Sequence, residues 1–146
     1  MSTPRTPPLV GALLRLASQR VRREMLDGIR ARGFEDLQDA HLHVFQYPGP
    51  DAKRPSDLAR QLHMSRQAVN HLLAQLEHLD YLERRAGEGE DRRRVYLTAR
   101  GHKLVIAIRA SVRAIERRYE RAIGADRFGM FLDVLRTIVH TPADTR

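Results

Sequence analysis

Residues 55–98, PSDLARQLHMSRQAVNHLLAQLEHLDYLERRAGEGEDRRRVYLT, determine how this chain folds. The alternation of apolar and polar residues predicts a helix, a sharp turn, a second helix, a strand, a basic loop and a second strand. This order is typical of a helix-turn-helix followed by a wing, a module that contacts double-stranded DNA.

The second of these helices has an apolar face and a polar face. Ser65 is placed to act as its N-cap, and an apolar series follows at spacings of three and four residues: Val69, Leu72, Leu73, Leu76 and Leu79. The opposite face carries side chains that can exchange hydrogen bonds with base edges and phosphates. The predicted DNA contacts of this recognition helix are therefore Ser65, Arg66, Gln67, Asn70 and His71.

The elements on either side of this helix complete the module. The preceding helix is expected to begin at Pro55, with Asp57 in its first turn, and to bury Leu58, Ala59 and Leu62. The runs 81–85 and 94–97 predict a hairpin whose loop is the wing. Arg92, Arg93 and Arg94 beside this loop suit a narrow groove or a row of phosphates. The alternative is an arginine run that is simply a solvated surface.

The segment resembles the MarR family of winged-helix transcription regulators. The resemblance rests on Asp91, Arg93, Leu97 and Thr98, followed by the sequence Ala-Arg-Gly that often opens the long next helix of that family. It implies that Asp91 and Arg92 to Arg94 form a DNA-binding wing. The spacing from Asp91 to Leu97 is shorter than in many relatives. His63 and Asp80 stand where relatives often have glycine, so a left-handed backbone is expected at both.

The whole chain is expected to be one mainly α domain, residues 1–146, with a winged helix-turn-helix at 36–97. A long helix is predicted from Leu9 to about Arg32 and another from about Asp36 to Tyr47. The inner residues of the second of these are expected to be Leu37, Ala40, Val44 and Phe45. Thr98 should cap a helix that Gly124 ends, with a last helix after it.

The long terminal helices have more apolar surface than a small winged helix can bury. Segments 9–34 and 98–141 are therefore predicted to form a homodimer interface, as the resemblance also implies. The alternative is that the terminal helices fold back to complete the core of a monomer.

The composition is compatible with a polyanionic partner and excludes several other classes. The formal net charge is +8 over 146 residues, which would concentrate the protein near DNA. With no cysteine there is no disulfide, thiolate nucleophile or cysteine redox switch. No run of eighteen apolar residues or export signal is found, so we expect a cytoplasmic protein without membrane contact.

Catalysis, a cofactor and a metal are not expected. Gly87 and Gly89 do not lead into a helix, as a phosphate-binding loop would, and no segment resembles a nucleophile elbow. His41 and His43 point to different sides of a helix and are poor partners for one ion. We interpret them as polar surface or as hydrogen-bonded interior imidazoles, with zinc sensing as the less favoured alternative.

These observations predict a sequence-specific, DNA-binding transcriptional regulator. By the resemblance it is a homodimeric repressor that binds an inverted repeat and is released by a small aromatic or anionic effector. One alternative is an architectural winged-helix protein, whose affinity would depend on salt with little preference among sequences. Another is a winged helix that contacts an acidic protein surface. The sequence identifies neither the operator nor the effector site.

Overall fold

The computed structural model describes residues 6–87 and 93–142. Within these ranges the chain forms six α-helices, one short 3-10 helix and a two-stranded hairpin. The helices and strands, in chain order, are α1 (Val10–Ala31), α2 (Asp39–Leu42), the 3-10 helix (His43–Phe45), α3 (Pro55–Gln61), α4 (Arg66–His78), β1 (Leu82–Ala86), β2 (Arg93–Leu97), α5 (Ala99–Ile123) and α6 (Ala125–His140). The predicted mainly α winged helix with long flanking helices is confirmed.

Helices α3 and α4 form the predicted helix-turn-helix. Pro55 is the first residue of α3, where its missing N–H is not needed. Ser65 caps α4 by accepting a hydrogen bond from the N–H of Ala68 at 3.1 Å. The buried face of α4 is the expected one, with Leu79 half-buried beyond its end: Val69, Leu72, Leu73 and Leu76.

Two residues that replace glycine make the sharp turns at the ends of these helices. His63 has φ 52° and Asp80 has φ 64°, as the sequence predicts. The residue after each of them donates its backbone N–H to a carbonyl group of the preceding helix. Met64 N–H donates to the Ala59 carbonyl at 2.9 Å, and Tyr81 N–H donates to the Leu76 carbonyl at 2.9 Å.

The wing hairpin is antiparallel, with Leu82 opposite Leu97 and Ala86 opposite Arg93. Both strands extend one residue farther toward the loop than expected, and β1 also begins one residue later. An isolated bridge joins Lys53 to Val95 on β2, outside the two-stranded sheet. The predicted contacts Asp91 and Arg92 lie outside the described residues.

The helix predicted from Asp36 to Tyr47 is much shorter than expected. The α2 helix covers Asp39–Leu42 and continues only as the 3-10 turn His43–Phe45. It begins late because Gln38 and His41 form a reciprocal capping box. The residue before Pro48 is disfavoured in helical backbone, which limits the other end.

The inner residues predicted for that segment are partly correct. Leu37 and Val44 are fully buried and Phe45 packs at the edge of the core. Ala40 is exposed, so its predicted inner position is wrong. The short α2 directs His41, not Ala40, toward the core.

The long helices α1, α5 and α6 lie before and after the winged helix-turn-helix in the chain and pack against one another. Helix α1 packs against α5, and α5 packs against α6. Thr98 caps α5 by accepting from the N–H of Gly101 at 3.0 Å, and Gly124, with φ 99°, separates α5 from α6. No helix in residues 6–87 or 93–142 combines the length and apolar character needed to cross a bilayer.

Candidate nucleic-acid interface

The recognition-helix residues predicted to contact DNA lie at the exposed N-terminal part of α4. Arg66, Gln67, Asn70 and His71 are all exposed, whereas the opposite face of the helix is buried. In the described part of the chain, the side chains of Arg66 and Gln67 make no hydrogen bond or ion pair, so both can meet an external partner. Ser65 is also exposed, but its oxygen already serves as the helix cap.

Asn70 is linked to the wing by a residue that the sequence analysis did not select. Arg84 on β1 donates from Nη1 to Asn70 Oδ1 at 3.1 Å and also pairs through Nε with Glu77. This contact fixes the base of the hairpin against the exposed face of α4. The amide N–H groups of Asn70 remain available as donors.

The described part of the wing is strongly cationic. Arg93 is exposed at the start of β2, and Arg94 donates from Nη1 to the Ala52 carbonyl at 3.0 Å. On the paired strand, Arg85 stacks over the Tyr96 ring at 3.9 Å and donates to Glu83 at 3.0 Å. Several guanidinium groups are therefore held on the two strands that lead to the loop.

A cleft of about 380 Å³ lies where α3 meets the start of α4. Three arginines line it: Arg54, Arg60 and Arg66. Asp57 neutralises part of this charge because it pairs with Arg60 across one turn of α3. Guanidinium groups at the edge of a recognition helix suit contact with phosphate oxygens.

His71 belongs to a chain of side chains that reaches the core. Gln75, one turn later on α4, lies with its amide nitrogen 3.0 Å from His71 Nε2. The Gln75 Oε1 atom lies 2.8 Å from Nε2 of the buried His41. His41 Nδ1 in turn accepts from the backbone N–H of Gln38 at 3.1 Å.

A polar cluster connects the end of the recognition helix to α5. The buried Tyr81 donates to Asp36 at 2.6 Å, Arg100 donates to the same carboxylate at 3.0 Å, and Arg100 stacks over the Tyr81 ring at 4.2 Å. Burial raises the pKa of Asp36, but the hydrogen bonds from Tyr81 and Arg100 outweigh it and hold the pKa below its usual value. Burial and the nearby carboxylate raise the pKa of Tyr81.

A larger groove lies on another side of the module, between the 45–51 loop and α5. Its volume is about 800 Å³. Its wall combines apolar side chains, including the exposed Ile106 and Tyr47, with the cations Arg109 and Arg113. No local pattern in the sequence indicates this groove, because its two walls are about fifty residues apart in the chain.

The histidines considered as metal ligands have other roles. His41 is 4% exposed and uses both ring nitrogens in hydrogen bonds, as the interior interpretation predicts. His43 Nε2 lies 2.7 Å from a guanidinium nitrogen of Arg22. Within residues 6–87 and 93–142, no group of three histidine, aspartate or glutamate residues could hold an ion.

The capped recognition helix, its preceding helix and the paired strands define a winged helix-turn-helix protein. Residues 42–94 match the family model of the MarR family. The match covers about a third of the chain and, with the shared fold, makes this winged helix similar to that of MarR family members, which are transcription regulators rather than enzymes. No curated protein sequence matches the chain.

Several solved structures have the same fold over almost the full length of the chain. The MarR family protein Rv2887 of Mycobacterium tuberculosis, in complex with salicylic acid, is 26% identical with a TM-score of 0.66, covering 90% of this chain and 96% of that one. MepR, a transcription regulator of the Staphylococcus aureus multidrug efflux pump MepA, is 19% identical with a TM-score of 0.67, covering 90% and 97%. Rv1404 of Mycobacterium tuberculosis is 16% identical with a TM-score of 0.71, covering 99% of both chains.

Proposed function

We propose that this DNA-binding regulator acts as a homodimeric repressor that recognises an inverted repeat. The single observation that carries the proposal is the exposed polar face of a capped α4, with Arg66 and Gln67 unengaged by the rest of the described chain. A major groove admits such a helix with its N-terminal end foremost. The similarity of residues 42–94 to the MarR family supports regulation over a purely architectural role.

Within this proposal the polar groups divide into two kinds of contact. Gln67, Asn70 and His71 can exchange hydrogen bonds with base edges and so read sequence. Arg66 and the wing arginines Arg92 to Arg94 can neutralise phosphates and fix the register of the helix in the groove. The net charge of +8 favours association with any duplex and adds no sequence preference.

Exposed apolar side chains on the terminal helices support the homodimer. Val10 is 66% exposed on α1, and Met130 and Val139 are 69% and 74% exposed on α6. Contiguous apolar surface of this kind usually marks an interface in a soluble protein. Leu9, just before α1, is 75% exposed, and the half-exposed members of the set are Leu13, Leu14, Leu16, Phe131, Val134 and Ile138.

The groove beside α5 is our proposed site for an aromatic or anionic effector. Its cations Arg109 and Arg113 can pair with a carboxylate while Ile106 and Tyr47 contact a ring. The salicylic acid complex of Rv2887, which is 26% identical to this chain, supports this chemistry. Calorimetric titration with salicylate should give binding that Arg109→Ala weakens and Arg121→Ala, on the exposed end of the same helix, leaves unchanged.

The proposed function is tested by comparing the duplex upstream of the coding sequence with a scrambled duplex of equal length and composition. Binding is measured across a salt series, since phosphate contacts alone produce a steep loss of affinity with salt on any sequence. We expect a preference for the upstream duplex of about a thousandfold. Parallel curves without preference for either duplex would favour an architectural role.

A further inference from the structure

A series of hydrogen bonds runs from Gln38 through His41 and Gln75 to His71. The chemistry of its groups determines which atom donates in each bond. The series starts at the backbone N–H of Gln38, which can only donate, so His41 Nδ1 is the acceptor and carries no proton. The single proton of the His41 ring is therefore on Nε2, which donates to Gln75 Oε1 at 2.8 Å. His41 is 4% exposed, so its ring has little contact with water.

The donors and acceptors are also determined at His71, the exposed end of this hydrogen-bond series. Because Gln75 Oε1 accepts from His41, the other end of the amide is its NH₂ group, which donates to His71 Nε2 at 3.0 Å. His71 Nε2 is then an acceptor without a proton, and the proton of the neutral ring is on Nδ1. The amide orientation of Gln75 follows from a backbone donor and does not depend on how its oxygen and nitrogen are assigned.

We propose that this chain holds His71 in its Nδ1-protonated form, so that α4 offers a hydrogen-bond donor to an acceptor on a base edge. His41 and Gln75 are then positioning residues for DNA recognition, although neither needs to touch DNA. The inference rests on the proposed function, because it assumes that the exposed face of α4 enters the major groove. Donors at this depth pair with guanine N7 or O6, adenine N7 or thymine O4.

Gln67, His71 and Gln75 are spaced four residues apart and form one stripe along α4. Gln67 lies toward the N-terminal end, which enters the groove first, and Gln75 lies toward the core contact with α2. His71 stands between them, so a fixed ring there extends the reading surface by one turn. A ring free to exchange tautomers would serve equally as a donor or an acceptor and would discriminate less.

Two substitutions separate positioning from simple packing. Gln75→Met removes both hydrogen bonds of the amide at similar side-chain size. Gln75→Glu keeps an acceptor for His41 but cannot donate to His71, so His71 Nε2 must then carry the proton. Gln46→Met is the matched control, since it removes another glutamine beside a histidine, His43, away from α4.

The first measurement is the nitrogen NMR spectrum of the full-length protein, recorded without DNA about two pH units above the ordinary histidine pKa of about 6.5. We expect His71 to show a proton on Nδ1 in the unmodified protein and in Gln46→Met, and on Nε2 in Gln75→Glu. A proton on Nε2 of His71 in the unmodified protein would overturn the inference. This outcome does not depend on whether the protein binds DNA.

The second measurement is the preference of each variant at every base pair of a bound duplex. Loss of one neutral hydrogen bond should reduce discrimination at a single base pair by on the order of threefold to tenfold in both Gln75 variants. Discrimination elsewhere in the duplex should be unchanged. Equal weakening on all sequences would mean that Gln75 only joins α2 to α4, and failure of the unmodified protein to bind any duplex would contradict the proposed function itself.

Discussion

Gly101 lies where the first turn of α5 crosses the backbone of Tyr81. A Cβ atom at this position would be 2.1 Å from the Tyr81 carbonyl oxygen, and a backbone oxygen cannot move aside as a flexible side chain can. The glycine of the Ala-Arg-Gly sequence is therefore a packing requirement. It lets α5 approach the residue that leads from the recognition helix into the wing.

Gly101→Ala is expected to destabilise the fold by about 1–3 kcal/mol, the usual cost of forcing an extra carbon into a packed site. The measurement is the free energy of unfolding in denaturant. Gly129→Ala is the matched control on α6, because a Cβ there meets nothing within 4 Å. Alanine at 129 should leave stability unchanged or raise it by up to about 1 kcal/mol, and an equal loss in both variants would contradict this account.

Asp36 makes the stability of the fold depend on pH in the acid range. Its pKa is lowered in the folded state, so the contribution is present above the unfolded value of about 3.9 and is lost as pH falls through the folded value. The free energy of unfolding is measured as the pH is lowered from about 6. Below about pH 4 it should fall less steeply in Asp36→Asn than in the unmodified protein. Asp27→Asn, which removes an exposed carboxylate of α1, should follow the unmodified protein, and identical slopes in all three would contradict the assignment.

For α3, α4 and α5, short-range signals in the sequence predicted where the helices begin or end. Pro55, Ser65, Thr98 and Gly124 each act within about one helical turn, so their residue type alone indicates where a helix begins or ends. The recognition helix and hairpin followed from the same local patterns. Apolar spacing placed the predicted DNA contacts on the exposed face of α4 for the same reason.

Contacts between distant segments could not be predicted in this way. The burial of His41 depends on the contact of α2 with α4, where His41 meets Gln75, a residue 34 positions away. The contact of Arg84 with Asn70 likewise depends on how β1 folds back over α4. Periodicity carries no information about such pairings. The extent of α2, the groove beside α5 and the hydrogen bonds that link His41, Gln75 and His71 were missed for this reason.

If α4 contacts bases and the wing contacts phosphates, alanine substitutions in the two elements should change DNA binding in different ways. Gln67→Ala should relax sequence preference by on the order of 1–3 kcal/mol per base pair read, with a similar salt dependence. Arg93→Ala should weaken binding to all sequences alike and reduce the salt slope by about one. Both are measured by titration of specific and scrambled duplexes at several salt concentrations, with Gln19→Ala on α1 as the control. Equal loss on both duplexes for Gln67→Ala would contradict the assignment of α4.

In the whole molecule, the proposed homodimer brings the apolar faces of the terminal helices against a second copy of the chain. In the single chain, α6 packs on α5 but leaves Val134 and Ile138 about half exposed. A twofold dimer built on this surface would present two recognition helices together. Their separation determines which DNA sites the protein can bind.

Val134→Glu is expected to shift the protein from dimer to monomer, because a charge would be buried in an apolar interface. Sedimentation velocity measures the change directly. Tyr47→Glu is the control, since Tyr47 is 96% exposed in a loop outside the terminal helices. An unmodified protein that sediments as a monomer at micromolar concentration would contradict the interface.

Selection of bound sequences from a pool of random duplexes determines whether the protein recognises an inverted repeat as a dimer. Two recognition helices on one face of the duplex require half-sites about 10 base pairs apart, centre to centre. We predict that the bound pool converges on one inverted repeat with that spacing, and that Val134→Glu loses the requirement for the second half-site. A pool that binds with a steep salt dependence but enriches no common sequence would contradict the claim that this protein reads DNA sequence as a dimer.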